Sequence, residues 1–199
     1  MNYVPKNFPL KYSNFKIVLV AGKAGSGKDT TSDHLVKNHK YKKYAFADTL
    51  KEFVCDKYNL EPSLCYTQEG KKTIIKLPNN EICTVRELLI NEGFLKKQLF
   101  PTYFVDQVVN KILHDHASYP HTQINNIVIS DFRFHFEYEQ LKLHFENIIT
   151  INISRNDCEK IDSYSETSLE NFTFDHVIYN NRSLDKLYFD LDNIWSSLI

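Results

Sequence analysis

Apolar residues run almost without a break through FKIVLVA (Phe15 to Ala21) and again through NNIVISD, which ends in Asp131. Both predict strands; a strand with one face in water alternates, and NNIVISD, which does not, requires burial on both faces. Further strands are expected in KKYAFA (Lys42 to Ala47), NIITINISR (Asn147 to Arg155) and HVIYNN, the last ending at Asn180. Between them the period becomes helical. Lys28 to about His39 forms one helix, with Leu35 and Val36 turned inward. DTLKEFVCDKYN forms another, with Asp48 as its N-cap and Leu50, Phe53, Val54 and Tyr58 as its core face. Thr84 and Glu87 make a capping-box pattern for a helix running through Ile90 and ending near Gly93. Further helices are expected from Pro101, around Glu137, Leu141 and Leu143, and after a Ser183 cap. Strands alternating with helices imply a parallel sheet with right-handed crossovers. Three stretches stand outside this rhythm. Residues 1 to about 14 read as a loose leader, and the polar segment after Arg155 reads as loop with a short helix. From Glu61 to Thr84 the pattern weakens to a hairpin, TIIKL and EICTV about a turn at Pro78 to Asn80.

The first strand and first helix are joined by GKAGSGKDTT, Gly22 to Thr31, with the G-x-x-x-x-G-K spacing at Gly22, Gly27 and Lys28. A phosphate chain needs a concave set of donors. Glycines let successive N–H groups point inward, the helix N-terminus adds partial positive charge, and the lysine bridges the outer phosphates. Of the five glycines in the chain, three (Gly22, Gly25 and Gly27) are in this loop. Asp29 stands where Ser or Thr usually meets magnesium.

Composition narrows the picture. At 199 residues the chain suits one α/β domain, 1–199. A net charge of −1 with mixed signs argues against a nucleic-acid surface or a polybasic membrane patch. The N-terminus lacks the apolar core of a signal peptide and no run reaches membrane-spanning length, so a cytoplasmic protein is expected. The four cysteines (Cys55, Cys65, Cys83 and Cys158) show no zinc spacing and are expected as reduced thiols. The eight dispersed histidines read as surface or core residues rather than metal ligands.

Parallel sheets gather ligands at the carboxyl ends of their strands. There the sequence places the loop, then Asp48 and Lys51, Asp131 and Arg133, Arg155, and finally Asn180 and Arg182. Asp131 ends an apolar strand as a Walker-B aspartate does, suited to magnesium through water. Arg133 is suited to charge on a phosphoryl group in flight. Arg86, in the first turn of a helix, and Lys51 are candidates to clamp a phosphate acceptor.

These residues carry a resemblance to the deoxynucleoside monophosphate kinases of large DNA viruses and phages. It rests on SGKDTTSDHL, YAFADTLKEF, VRELL, ISDFRFHFE with its Asp131, Arg133 and Glu137, and SYSE followed by DHVIYNNRSL with Asp175 and Asn180. The resemblance implies a three-layer P-loop kinase fold, an α/β architecture with a five-stranded parallel sheet of order 2-3-1-4-5 and a monophosphate-binding excursion around 48–116. It implies transfer of the ATP γ-phosphate to a deoxynucleoside monophosphate with Mg²⁺, in host cytoplasm if the protein is viral, and a homodimer as in similar small kinases. Gly22, Ala24, Gly25, Ser26, Gly27, Lys28, Asp29, Thr30, Thr31, Arg155 and Asn180 would then contact ATP, with Asn180 near the adenine. Lys28, Arg133 and Asp131 would be catalytic, Asp29 and Asp131 would face the metal, and Asp48, Lys51 and Arg86 would hold the monophosphate. Competing readings are a phosphomevalonate-type or dephospho-coenzyme-A-type kinase, and a nucleotide-binding regulatory module without turnover. A GTPase would need an N-K-x-D motif, which is missing.

Overall fold

Because neither face of Phe15 to Ala21 can be left to water, this strand belongs at the centre of a sheet. In the computed structural model, which describes residues 11–118, 125–158 and 168–197, it does so. Strand β1 (Tyr12–Ala21) pairs in parallel with β5 (Asn126–Ile129) on one side and β6 (Phe145–Ser154) on the other. β2 (Lys42–Tyr44) lies beyond β5 and β7 (His176–Tyr179) beyond β6, giving β2-β5-β1-β6-β7. Hairpin strands β3 (Ile74–Lys76) and β4 (Ile82–Thr84) lie outside this sheet, so among its five strands the order is 2-3-1-4-5.

The chain divides into two compact units, one from the described parts of 1–44 and 112–199, the other from 45–111. In the first, α1 (Lys28–His39) and α7 (Leu184–Ser197) cover one sheet face. Leu35, Leu187, Leu191 and Trp195 pack there on Val18, Val20, Ile151 and Ile153. Each such side chain contributes roughly 1.5–3 kcal/mol on full burial. Phe15 meets Phe145 and His116 edge-on, at 5.4 and 4.9 Å between ring centres. The helix α6 (His135–His144) precedes β6.

The second unit holds α2 (Phe46–Tyr58), α3 (Pro62–Tyr66), a 3₁₀ turn at Gly70–Lys72, the β3–β4 hairpin and α4 (Val85–Leu99), and it includes the start of α5 (Tyr103–Ser118). Val54, Cys65, Val85 and Leu88 form its core. Thr84 and Glu87 make the reciprocal capping box that the sequence predicts. No helix among the described residues is long and apolar enough to cross a membrane.

Several local expectations are corrected. Asp48 is not an N-cap: the extended Ala45 holds that position, and Asp48 sits in the first turn, where the helix dipole favours the same negative charge. The second strand stops at Tyr44 because α2 begins so early. Val36 is exposed; His34 and Ser32 are buried alongside Leu35 instead. α4 runs on to Leu99, and Gly93 is internal to it. A Cβ at Gly93 would lie 3.0 Å from Leu50 Cδ2, so this glycine serves close packing rather than helix termination. α5 begins at Tyr103, with Pro101 in the turn before it. Residues 12–14 already belong to β1, and residues 1–10 of the expected leader lie outside the described residues. The same holds for SYSE and most of the expected short helix after Arg155.

Candidate phosphate-binding site and cationic cluster

The loop after β1 turns through three glycines with positive φ, Gly22 at 140°, Gly25 at 76° and Gly27 at 107°. Two of these positions have no room for a side chain. A Cβ on Gly22 would fall 2.4 Å from the Ile153 carbonyl oxygen, and one on Gly27 would fall 2.6 Å from Asn180 Nδ2. Gly27 is also the N-cap of α1, so the orphan N–H groups of the first turn open onto the loop. Across the loop, the Lys28 ammonium donates to the carbonyls of Gly22 (2.5 Å) and Lys23 (2.7 Å). The Ser26 and Thr31 hydroxyls are fully buried and lack a hydrogen-bond partner among the described residues. A concave loop with glycine turns, a helix N-terminus and a cation folded over it has the chemistry a phosphate chain requires.

Strand ends bring the other candidates of this unit to the same rim. Asn180, just beyond β7, donates from Nδ2 to the Ser26 carbonyl at 2.8 Å, and its N–H reaches the Ser154 carbonyl at 2.7 Å. Its side chain therefore holds the loop itself. Asp131 and Arg133 follow β5 and are half-buried; Arg155 follows β6 and is exposed. Glu137, buried in α6, accepts from the N–H groups of Arg133 (3.0 Å) and Phe134 (3.1 Å), and Ser168 donates to the Arg133 carbonyl. The backbone that carries Arg133 is thus fixed from two sides. Asp29 points to solvent and accepts from Lys43 Nζ at 3.1 Å, beside the Lys43–Asp33 pair at 2.9 Å. Burial opposes the Lys43 charge, but Asp33 and Asp29 hold its pKa above the ordinary lysine value.

Asp48, Lys51 and Arg86 belong to the 45–111 unit. Lys51 Nζ donates to Asp48 at 2.7 Å and stands 4.4 Å over the Tyr66 ring. Arg86, in the first turn of α4, donates to Gln68 Oε1 at 2.8 Å. Lys71 joins them. Burial pushes its pKa down, and the positive charges of Lys51 and Arg86 push it further the same way. Burial and the nearby carboxylates of Asp48 and Glu52 push the Tyr66 hydroxyl up to about 12. Lys71, Tyr66 and Gln68 were missed by the sequence reading, because they lie where its periodicity fails. The tandem Lys71–Lys72 next to the hairpin was the available signal.

A glycine cradle feeding a helix at the centre of a 2-3-1-4-5 parallel sheet defines the P-loop kinase class. Residues 16–80 match the family model described as deoxynucleotide monophosphate kinase, in agreement with the resemblance seen in the sequence. Among solved structures, dephospho-CoA kinase from Campylobacter jejuni aligns with a TM-score of 0.50 at 17% identity, covering 94% of this chain and 98% of that one. An APS kinase from Mycobacterium tuberculosis (TM-score 0.43, 10% identity, 93% and 99% covered) and a sugar kinase from Janibacter sp. HTCC2649 (0.45, 12%, 92% and 95%) align more loosely. The likeness to the dephospho-CoA kinase is one of fold. No curated protein matches the chain.

Proposed function

We propose that the protein is one kinase domain over 1–199 that transfers the γ-phosphate of ATP to a deoxynucleoside 5′-monophosphate, yielding the diphosphate and ADP. The observation that carries this reading is the crowding of Lys51, Lys71 and Arg86 in the 45–111 unit. Burial first, and then the positive charges of Lys51 and Arg86, disfavour the Lys71 ammonium; with Asp48 engaging Lys51, such a group suits a dianionic phosphate. The family match over 16–80 supports a nucleotide as its bearer.

Phosphoryl transfer needs positioning and charge stabilisation more than covalent help. The loop N–H groups and the α1 N-terminus take the ATP phosphates. Lys28 exchanges its two carbonyl partners for phosphate oxygens. Arg133, on its braced backbone, offers a guanidinium to the group in transfer, and Arg155 a second cation at the rim. Asn180 keeps the loop in shape through Ser26. For Mg²⁺, a hard cation that favours oxygen ligands, the carboxylate of Asp131 is a fitting donor through water. Asp29 would serve only by leaving Lys43. When bound, the ion would supply neutralisation of charge on the phosphate oxygens.

The test is a panel of dTMP, dGMP, dCMP and dAMP with dephospho-coenzyme A and phosphomevalonate, each with Mg-ATP. ADP release that depends on a deoxynucleoside monophosphate is expected. Turnover with only one of the other two acceptors, or ATP binding without acceptor-dependent turnover, overturns the reading.

A further inference from the structure

On the far end of α1 from the loop, two histidines and an aspartate converge on one point. His34 Nε2 and His39 Nε2 each lie 2.8 Å from the same oxygen, Oδ1 of Asp192 on α7. All three candidate ligand atoms fall within 4.8 Å of one another. We propose that His34, His39 and Asp192 form a transition-metal site of the zinc class that staples α1 to α7. It is independent of the kinase reading and of its magnesium.

The donor set decides the ion. Two imidazole nitrogens and one carboxylate oxygen suit Zn²⁺, Co²⁺ or Ni²⁺, whereas Mg²⁺ prefers oxygen and water. With metal–ligand bonds of about 2.0–2.2 Å in a tetrahedron, ligand atoms stand roughly 3.3 Å apart, so each histidine nitrogen needs to draw back from Asp192 by about 0.5 Å. Water completes the fourth position.

The surroundings hold the ligands as a metal site requires. His34 is buried, and its ring stacks on Tyr188 at 4.2 Å and 15°. His39 lies 5.7 Å from the Trp195 ring. His34 Nδ1 faces the Asn38 carboxamide at 2.8 Å. Turning that amide over presents Oδ1 to Nδ1–H, leaving the Nε2 lone pair for the ion; metal-bound histidines commonly have such a partner. The sequence reading set all eight histidines aside as ligands. Only the packing of α7 on α1 brings Asp192 to the pair.

Trp195 is the chain's single tryptophan and adjoins His39, so it serves as the probe. Full-length protein, stripped with chelator and with exposed thiols alkylated, is titrated with Co²⁺ while Trp195 fluorescence is followed. One equivalent should quench it, Zn²⁺ should displace the Co²⁺, and millimolar Mg²⁺ should not. His39→Gln and Asp192→Asn should each weaken binding at least tenfold, and Asn38→Ala by roughly tenfold. Far-UV circular dichroism identifies the variants that fold, and only those are scored; Asp192→Asn, at an exposed position of similar shape, secures at least one. No quenching, quenching unchanged in the folded variants, or displacement by Mg²⁺ overturns the site.

Discussion

Asn180 and Gly27 interlock: the Asn180 carboxamide donates to the Ser26 carbonyl, and a single carbon added to Gly27 would fall 2.6 Å from its Nδ2. The end of β7 and the phosphate loop thus shape each other. Asn180→Ala removes one hydrogen bond, which typically contributes about 1 kcal/mol, so the ATP KM should rise about fivefold. Gly27→Ala adds both the clash and a side chain at φ 107°, and should cost more. The double variant should recover part of the Gly27→Ala loss, since the clash is gone but the strain stays. ATP titrations of the three variants check this; equal effects of the two single substitutions would refute it.

Lys28 donates to two carbonyls of its own loop, those of Gly22 and Lys23. Lys28→Ala should lower kcat at least a hundredfold, on the scale of losing one preorganised charge-stabilising donor. Its thermal midpoint should stay close to that of the parent. Steady-state rates and a melting curve check the two halves separately.

Arg86 and Lys71 should report on the acceptor alone. Arg86→Ala and Lys71→Ala should each raise the monophosphate KM about tenfold or more, leaving the ATP KM within about twofold, as expected for loss of a charge-assisted contact. Two-substrate kinetics make the comparison. A larger effect on ATP would show that the cluster serves the donor.

Acid should weaken the fold through three paired carboxylates. Burial alone would raise the Glu92 and Asp115 carboxyls, but bonds from Lys57 and Tyr58, and from Lys42 and Tyr44, hold them below their ordinary values of 4.5 and 3.8. His34 and His39 do the same for Asp192. A carboxyl lowered on folding contributes stability above its unfolded pKa and loses it as pH falls through the folded one. The urea midpoint should therefore be nearly flat from pH 7 to about 5 and fall steeply between pH 4 and 3. Glu92→Gln should flatten that fall; an unchanged slope would count against it.

Asp175, just before β7, braces Thr150 of β6. Its Oδ2 accepts from the N–H and Oγ1 of Thr150, and its own N–H donates back to Oγ1 at 3.0 Å. Asp175→Ala should destabilise by about 2 kcal/mol, leaving unmet donors in β6, while the KM values of the folded enzyme stay near wild type. Denaturation and kinetics on the same sample check it.

The phosphate loop, the five sheet strands, the hairpin and the Thr84–Glu87 box were legible in the chain alone. Each depends on neighbours within a few residues: glycine spacing, apolar runs, a cap and its partner three positions on. Helix ends were less legible. Asp48 and Gly93 carry the right chemistry for a start and a stop, but the extended Ala45 and the Leu50 side chain decided otherwise. Some groupings could only come from packing. Lys71 comes within electrostatic reach of Lys51 and Arg86 because α3 and a 3₁₀ turn fold onto α2 and α4, and no local pattern encodes that approach. Asp192 reaches His34 and His39 across 158 and 153 residues, through the apolar face that seats α7 on α1. A sequence states what a segment buries; which distant side chains then share a point is decided by what that burial packs against.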